Sequence, residues 1–245
     1  MVPKTWVKFI VALFLLPLVW ALTVTFFQAL GDSLQHGLLK TKEGPFFLGG
    51  IVLWGVLFWL LPRAWLLWLY VYGHECTHAI WAKIFGGNVE EKFYVSSQGG
   101  HILTNRINTW IVLSPYFFPV YSLLVISIYG VGALFVEMTS FQWLLFFLLG
   151  LTWAFHLTFT CLFLLQGQPD VHYGGTFFSI IIIYGINLLT ALFFLLITAP
   201  SISAASLGEQ FFGNLRTFLE TAHHLLEELF SWVCHSYYSF FLGKN

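Results

Sequence analysis

From Trp6 to Leu30 the chain carries a single charge, Lys8, and from Thr176 to Ile197 it carries none. Runs like these constrain the fold more than any other feature of the sequence. About 20 apolar residues match the hydrocarbon thickness of a bilayer. There, every backbone N–H and C=O must be satisfied inside the protein, which favours helices. Further apolar runs occur at Pro45–Leu61, Ala64–Phe85, Thr109–Val136 and Phe141–Leu165, with Pro115 and Pro119 kinking the first half of the fourth run. The expected fold is an all-α polytopic membrane protein with about six transmembrane helices. Composition agrees: 9% of the 245 residues are charged and 58% hydrophobic, whereas a soluble domain carries roughly 25% charged residues. A net charge of −1 gives no reason to expect a nucleic-acid partner; the lipid bilayer is the expected surrounding. Cys76, Cys161 and Cys234 are too few and too scattered for a disulfide framework. Lys4 and Lys8 precede the first run as in a signal peptide, but the run lacks a small-x-small cleavage pattern and reads as a retained helix. The expected localisation is an integral, multi-pass membrane protein, with a bacterial-type plasma membrane as the working assumption.

Inside the Ala64–Phe85 run stands His74-Glu75-Cys76-Thr77-His78, an H-E-x-x-H motif. On a helix, residues four apart share a face, so both imidazoles can address one metal ion. Glu75 projects beside them, placed to act as a base on a water at that ion, the arrangement of a zinc hydrolase. Ionisable residues at membrane depth are costly and mark function. Gly86-Gly87 ends this helix. The polar stretch that follows, Lys92 to Thr104, reads as a short β-hairpin turning at Gln98-Gly99-Gly100. Irregular backbone near a membrane is tolerated where it lines a cavity.

A catalytic zinc commonly takes three protein ligands. The chain has two aspartates, Asp32 and Asp170. If each apolar run crosses once, the third delivers its histidines towards the Gly86 end, the fourth crosses away and the fifth returns, bringing Asp170 to the motif. Asp32 emerges on that side too, but in a hydrophilic loop. Asp170 is therefore the expected third ligand. His156, in the fifth run, is either a core histidine or a group beside the ligands that donates to a developing oxyanion; His172 is a weaker candidate for the same role. His101 is expected to face solvent or the cavity mouth.

Residues 1–200 are expected to form the membrane core, with the metal site within 64–180, and residues 201–245 an amphipathic helix and aromatic tail. Phe211, Leu215, Phe218, Ala222, Leu225 and Leu229 recur at helical spacing. This helix is expected to lie on the membrane surface or to pack on a protein partner; its opposite face is acidic, so attraction to anionic lipid is not what holds it. His223, His224, Glu227 and Glu228 on that face read as solvated.

The motif in a membrane helix, the Gly86-Gly87 stop, the hairpin with Gly99-Gly100 and the downstream Asp170 together resemble the site-2 protease family of intramembrane zinc metalloproteases. The likeness covers residues 64 to 180 and points to a small member without a PDZ or CBS domain. The family usually sets an Asn and a Pro ahead of an Asp-Gly pair; here Pro169 precedes Asp170, Val171 follows it, and the Asn is missing. The resemblance implies a zinc-dependent endopeptidase that cuts membrane proteins or peptides within or near the bilayer, with Glu75 as base and His156 as a candidate for the missing Asn. Two other readings of the residues remain: a membrane zinc hydrolase of a non-peptide amide or ester, and a non-catalytic zinc-binding membrane interaction protein.

Overall fold

The apolar runs form helices, and Pro17, Pro115, Gly50, Gly150 and Gly185 lie within them without ending them. The computed structural model describes residues 5–90 and 94–241; Lys4, Glu91, Lys92, Phe93 and Lys244 lie outside that range. The helices are α1 (Thr5–Gln35), α2 (Gly44–Leu60), α3 (Arg63–Ile84), α4 (Thr109–Phe117), α5 (Val120–Gly132), α6 (Gln142–Leu165), α7 (Pro169–Tyr173), α8 (Thr176–Thr198) and α9 (Ala204–Phe241). Between α3 and α4, β1 (Tyr94–Ser96) pairs antiparallel with β2 (Gly99–His101), Tyr94 opposite His101. A hairpin stands where one was expected, but it turns at Ser97-Gln98, and Gly99 and Gly100, expected in the turn, pair with Ser96 and Val95 as part of β2; Val89 and Thr104 add a bridge.

The six expected crossings are not what the helices show. Among the described residues three segments are long and apolar enough to cross a membrane: α1, Thr139–Leu165 (which contains α6) and α8. A fourth is the pair α4–α5, bent by 75° at Phe118-Pro119. Neither Pro115 nor Pro119 has an N–H for the helical ladder, and the chain turns between them. The apolar α2 is shorter, at 17 residues. At 22 residues α3 is long enough, but His74, Glu75, Thr77 and His78 lower its hydropathy.

Packing explains what α3 does instead. Simple alternation makes α1 antiparallel to α8 and α2 antiparallel to α6; both pairs are parallel. Along α1 and α8, Phe9 meets Phe177, Val19 meets Gly185, and Ala29 packs with Leu195. Along α2 and α6, Phe46 meets Trp143, Trp54 meets Phe155, and Phe58 meets Phe159. Gly50 and Gly150 let the second pair touch backbone to backbone, since a Cβ on either would run into Phe147 O or Phe47 O. The C-terminus of α2 and the N-terminus of α1 therefore lie at the end of the bundle that carries α7. The chain is still at that end when α4 begins, because Lys8 Nζ donates to Thr109 Oγ1 at 2.8 Å. Both ends of α3 lie there, so α3 and the hairpin enter and return without a net traverse of the bundle. Asp32, by contrast, lies near the far end of α1, where Gln210 of α9 donates to it.

Local capping follows the sequence. Gly86 takes φ +74°, and the N–H groups of Gly86 and Gly87 donate to Lys83 O and Ala82 O, closing α3. Asn108 caps α4 by accepting from Ile111 N at 2.9 Å. The C-terminal helix is longer than its amphipathic stretch and folds back along α1. Asn214 donates to Thr25 and Gln28, and Phe218 packs on Trp20. Beyond Leu219 its apolar face is exposed, and His223 and His224 pair with Glu227 and Glu228 on the solvated side, as expected.

Candidate metal centre

Three side chains meet at one point. His74 and His78 project from one face of α3, and Asp170 reaches them from the first turn of α7, whose Pro169 suits an opening helical position. His74 Nε2 and His78 Nε2 face each other at 3.1 Å, and Asp170 Oδ2 lies 3.3 Å from the first and 3.5 Å from the second. Among the described residues this is the one group of three or more His, Cys, Asp or Glu side chains placed to hold a metal ion.

The spacing tests whether a metal fits. Ligand atoms at about 2.0–2.1 Å from a tetrahedral zinc ion stand about 3.3 Å apart. The three separations here bracket that value. Two nitrogens and a carboxylate oxygen aimed at one point repel one another unless a cation or a proton sits among them, and the donor set is one that zinc takes.

The surroundings orient the ligands. His78 Nδ1–H donates to Ile111 O at 2.8 Å, which leaves Nε2 free to ligate. The Tyr70 hydroxyl lies 3.3 Å from His74 Nδ1. Tyr116, fully buried, donates its hydroxyl to Asp170 Oδ2 at 3.2 Å and sets its ring edge-on to His74. Burial alone would raise the Asp170 carboxyl. Hydrogen bonds and charge from His74 and His78 outweigh it and hold the group well below the usual carboxylate range.

Glu75 is buried beside the ligands, and the hairpin sits directly on it. A Cβ on Gly100 would lie 2.8 Å from Glu75 Cγ and from Val71 Cγ1, so only glycine lets β2 settle here. His74, Glu75, His78 and Asp170 share a cavity of about 380 Å³, walled by Tyr70, Val71, Ile102, Ile107, Ile111, Val112 and Phe163, with Gly99, Gly100 and His101 along one side. The wall is mostly apolar, which strengthens electrostatic interactions within it.

The other candidates fall elsewhere. Cys76 does not line this cavity. His156 is buried, but it opens on a separate small cavity behind His74, with Gly73, Thr77, Phe118 and Tyr121. His172 is exposed, its Nδ1 2.7 Å from Thr176 Oγ1, and it too stands outside the cavity. His101 lies at the mouth, stacked on Tyr94. Sequence reasoning did not single out Tyr70, Tyr116 or the Ile111 carbonyl. For Tyr116 a signal existed, since it lies between Pro115 and Pro119, where the helical ladder loses N–H donors and α4 gives way to α5.

The chain matches no known family, no curated protein and no solved structure. Fold and site together define a largely helical chain, with helices apolar enough to cross a membrane and, among the described residues, one partly buried His-His-Asp group able to hold a metal ion.

Proposed function

We propose that the protein is a membrane-embedded, zinc-dependent endopeptidase of the kind its motif resembles, the site-2 protease family. The observation that carries this reading is the convergence of His74, His78 and Asp170 beside Glu75 in one apolar-walled cavity. The crossing segments are α1, α2, the bent pair α4–α5, α6 and α8, with α3 inserted from the site side. His74, His78 and Asp170 would hold the zinc ion, which when bound would supply Lewis acidity towards a substrate carbonyl and water. Glu75 takes the proton from the attacking water and returns it to the leaving amine, so one carboxylate serves as base and then as acid. Tyr116 and Ile111 hold Asp170 and His78 in place while charge develops nearby. A helical substrate hides its carbonyls, and the edge of β2 not paired with β1 can take an unwound segment as an added strand.

The test is zinc content by elemental analysis, with cleavage of single-span membrane peptides scored by mass spectrometry, for wild type, Asp170→Ala and Glu75→Gln in detergent. Near-stoichiometric zinc and cleavage in wild type, zinc without cleavage in Glu75→Gln, and loss of both in Asp170→Ala are expected. A wild-type chain without zinc in chelator-free buffer would remove the chemistry on which the reading depends.

A further inference from the structure

The break between α4 and α5 leaves a backbone group that the helix cannot satisfy. Phe118 N–H donates to Ser114 O, and Val120 N–H turns to Phe118 O instead of reaching back to Tyr116 O. The Tyr116 carbonyl thus has no partner in the ladder, and an unsatisfied carbonyl inside an apolar bundle is costly. A residue from a distant part of the chain supplies the partner. Asn187, the only amide in α8, donates Nδ2 to Tyr116 O at 2.8 Å and to Ile183 O, also at 2.8 Å. Thr160 Oγ1 of α6 approaches the same Tyr116 carbonyl at 3.4 Å.

With both N–H donors of Asn187 spent on carbonyls, its amide has one sensible orientation. Its Oδ1 then faces the buried His156, whose ring comes close without completing a hydrogen bond. Tyr116 is consequently held at both ends, its carbonyl by Asn187 and its hydroxyl against Asp170 Oδ2, with its ring against His74. An amide at this depth in an apolar helix is expensive unless it has a task, and the task visible here is to fix the backbone from which Tyr116 reaches the site.

We infer that Asn187 is a positioning residue for the metal centre, acting through Tyr116: its grip on the Tyr116 carbonyl sets the phenol that orients Asp170. This role rests on the metal-site reading above. It also gives His156 a place, as the group packed behind Asn187.

The experiment is a double-mutant cycle read in zinc affinity. Zinc binding to the full chain in detergent is measured by competition with a chromophoric chelator for wild type, Asn187→Leu, Tyr116→Phe and the double variant, with thermal unfolding of each. Leucine keeps the Cγ branching of asparagine, with a larger volume, and removes both donors. Each single change is expected to weaken zinc binding about tenfold, as for groups that orient ligands, and the double variant should bind no more weakly than either single one. A purely structural Asn187 predicts a lower melting temperature with unchanged affinity, or losses that multiply in the double variant; either result overturns the role. If Asn187→Leu does not fold, Asn187→Ala is read in the same way, with Thr160→Val expected to cause a smaller loss of affinity. A wild type that binds no zinc overturns the metal site itself, whereas a wild type that binds zinc no better than Asn187→Leu overturns only the inference about Asn187.

Discussion

Replacing Asp170 by Ala is the sharpest perturbation of the site, and its size can be worked out. The change removes one of three ligand atoms, the only anionic one, from a group whose members stand 3.1–3.5 Å apart. Altering groups that merely orient ligands already costs about 10–100-fold in metal affinity, so losing a ligand should cost at least about 100-fold. With zinc at 100 times the wild-type dissociation constant, binding stabilises the folded chain by about 2.7 kcal/mol. At the same zinc concentration the variant is at or below its own dissociation constant and gains no more than about 0.4 kcal/mol. For a chain of this size those energies correspond to a zinc-dependent rise in melting temperature of about 5–11 °C in wild type and about 1–2 °C in the variant. The assay is thermal unfolding in detergent followed by tryptophan fluorescence, after chelator treatment, with and without added zinc. Glu75→Gln serves as the control and should keep the full shift. An Asp170→Ala protein with the wild-type zinc-dependent shift would refute the three-ligand site.

Other consequences are open to direct measurement. Glu75→Gln should retain zinc while peptide cleavage falls by about 10²–10⁴-fold, the usual contribution of a general acid–base; wild-type turnover would remove Glu75 from the chemistry. In Gly100→Ala the new methyl meets Glu75, Val71 and the Tyr94 carbonyl at 2.8–2.9 Å. The expected result is a loss of about 1–3 kcal/mol in stability, as for overpacking, with zinc retained and cleavage reduced; unchanged melting and turnover would show that the hairpin does not sit on Glu75. Gly150→Leu should separate α2 from α6 and lower the melting temperature more than Gly55→Leu, whose Cβ direction is open; equal effects would contradict the close packing. Single cysteines at Arg63 and Lys83, in a chain with Cys76, Cys161 and Cys234 replaced by Ser, should react with an impermeant maleimide from the same side of sealed vesicles. Labelling from opposite sides would show that α3 crosses the membrane.

Much of the molecule was legible in the sequence because the signals are local. Apolar runs, the Gly86-Gly87 stop, the Pro115 and Pro119 break and the hairpin glycines each act over a few residues, so the helices form close to where expected. The motif was legible for the same reason, because four residues along a helix bring two imidazoles to one face. The expectation that Asp170 joins them agrees with the structure, although the path differs. Counting α3 as a crossing and placing Asp32 on the motif side both came from assuming simple alternation, and the parallel pairing of α1 with α8 and of α2 with α6 removes that assumption. Only the tertiary structure decided that both ends of α3 lie at one end of the bundle, that His156 packs behind the site instead of lining it, and that Tyr116 and Asn187 support Asp170. Each of these depends on contacts between residues dozens of positions apart, where neither spacing nor propensity carries information. Side-chain periodicity sets which face a helix buries, whereas the direction and neighbour of each helix follow from how the faces of the whole bundle fit together.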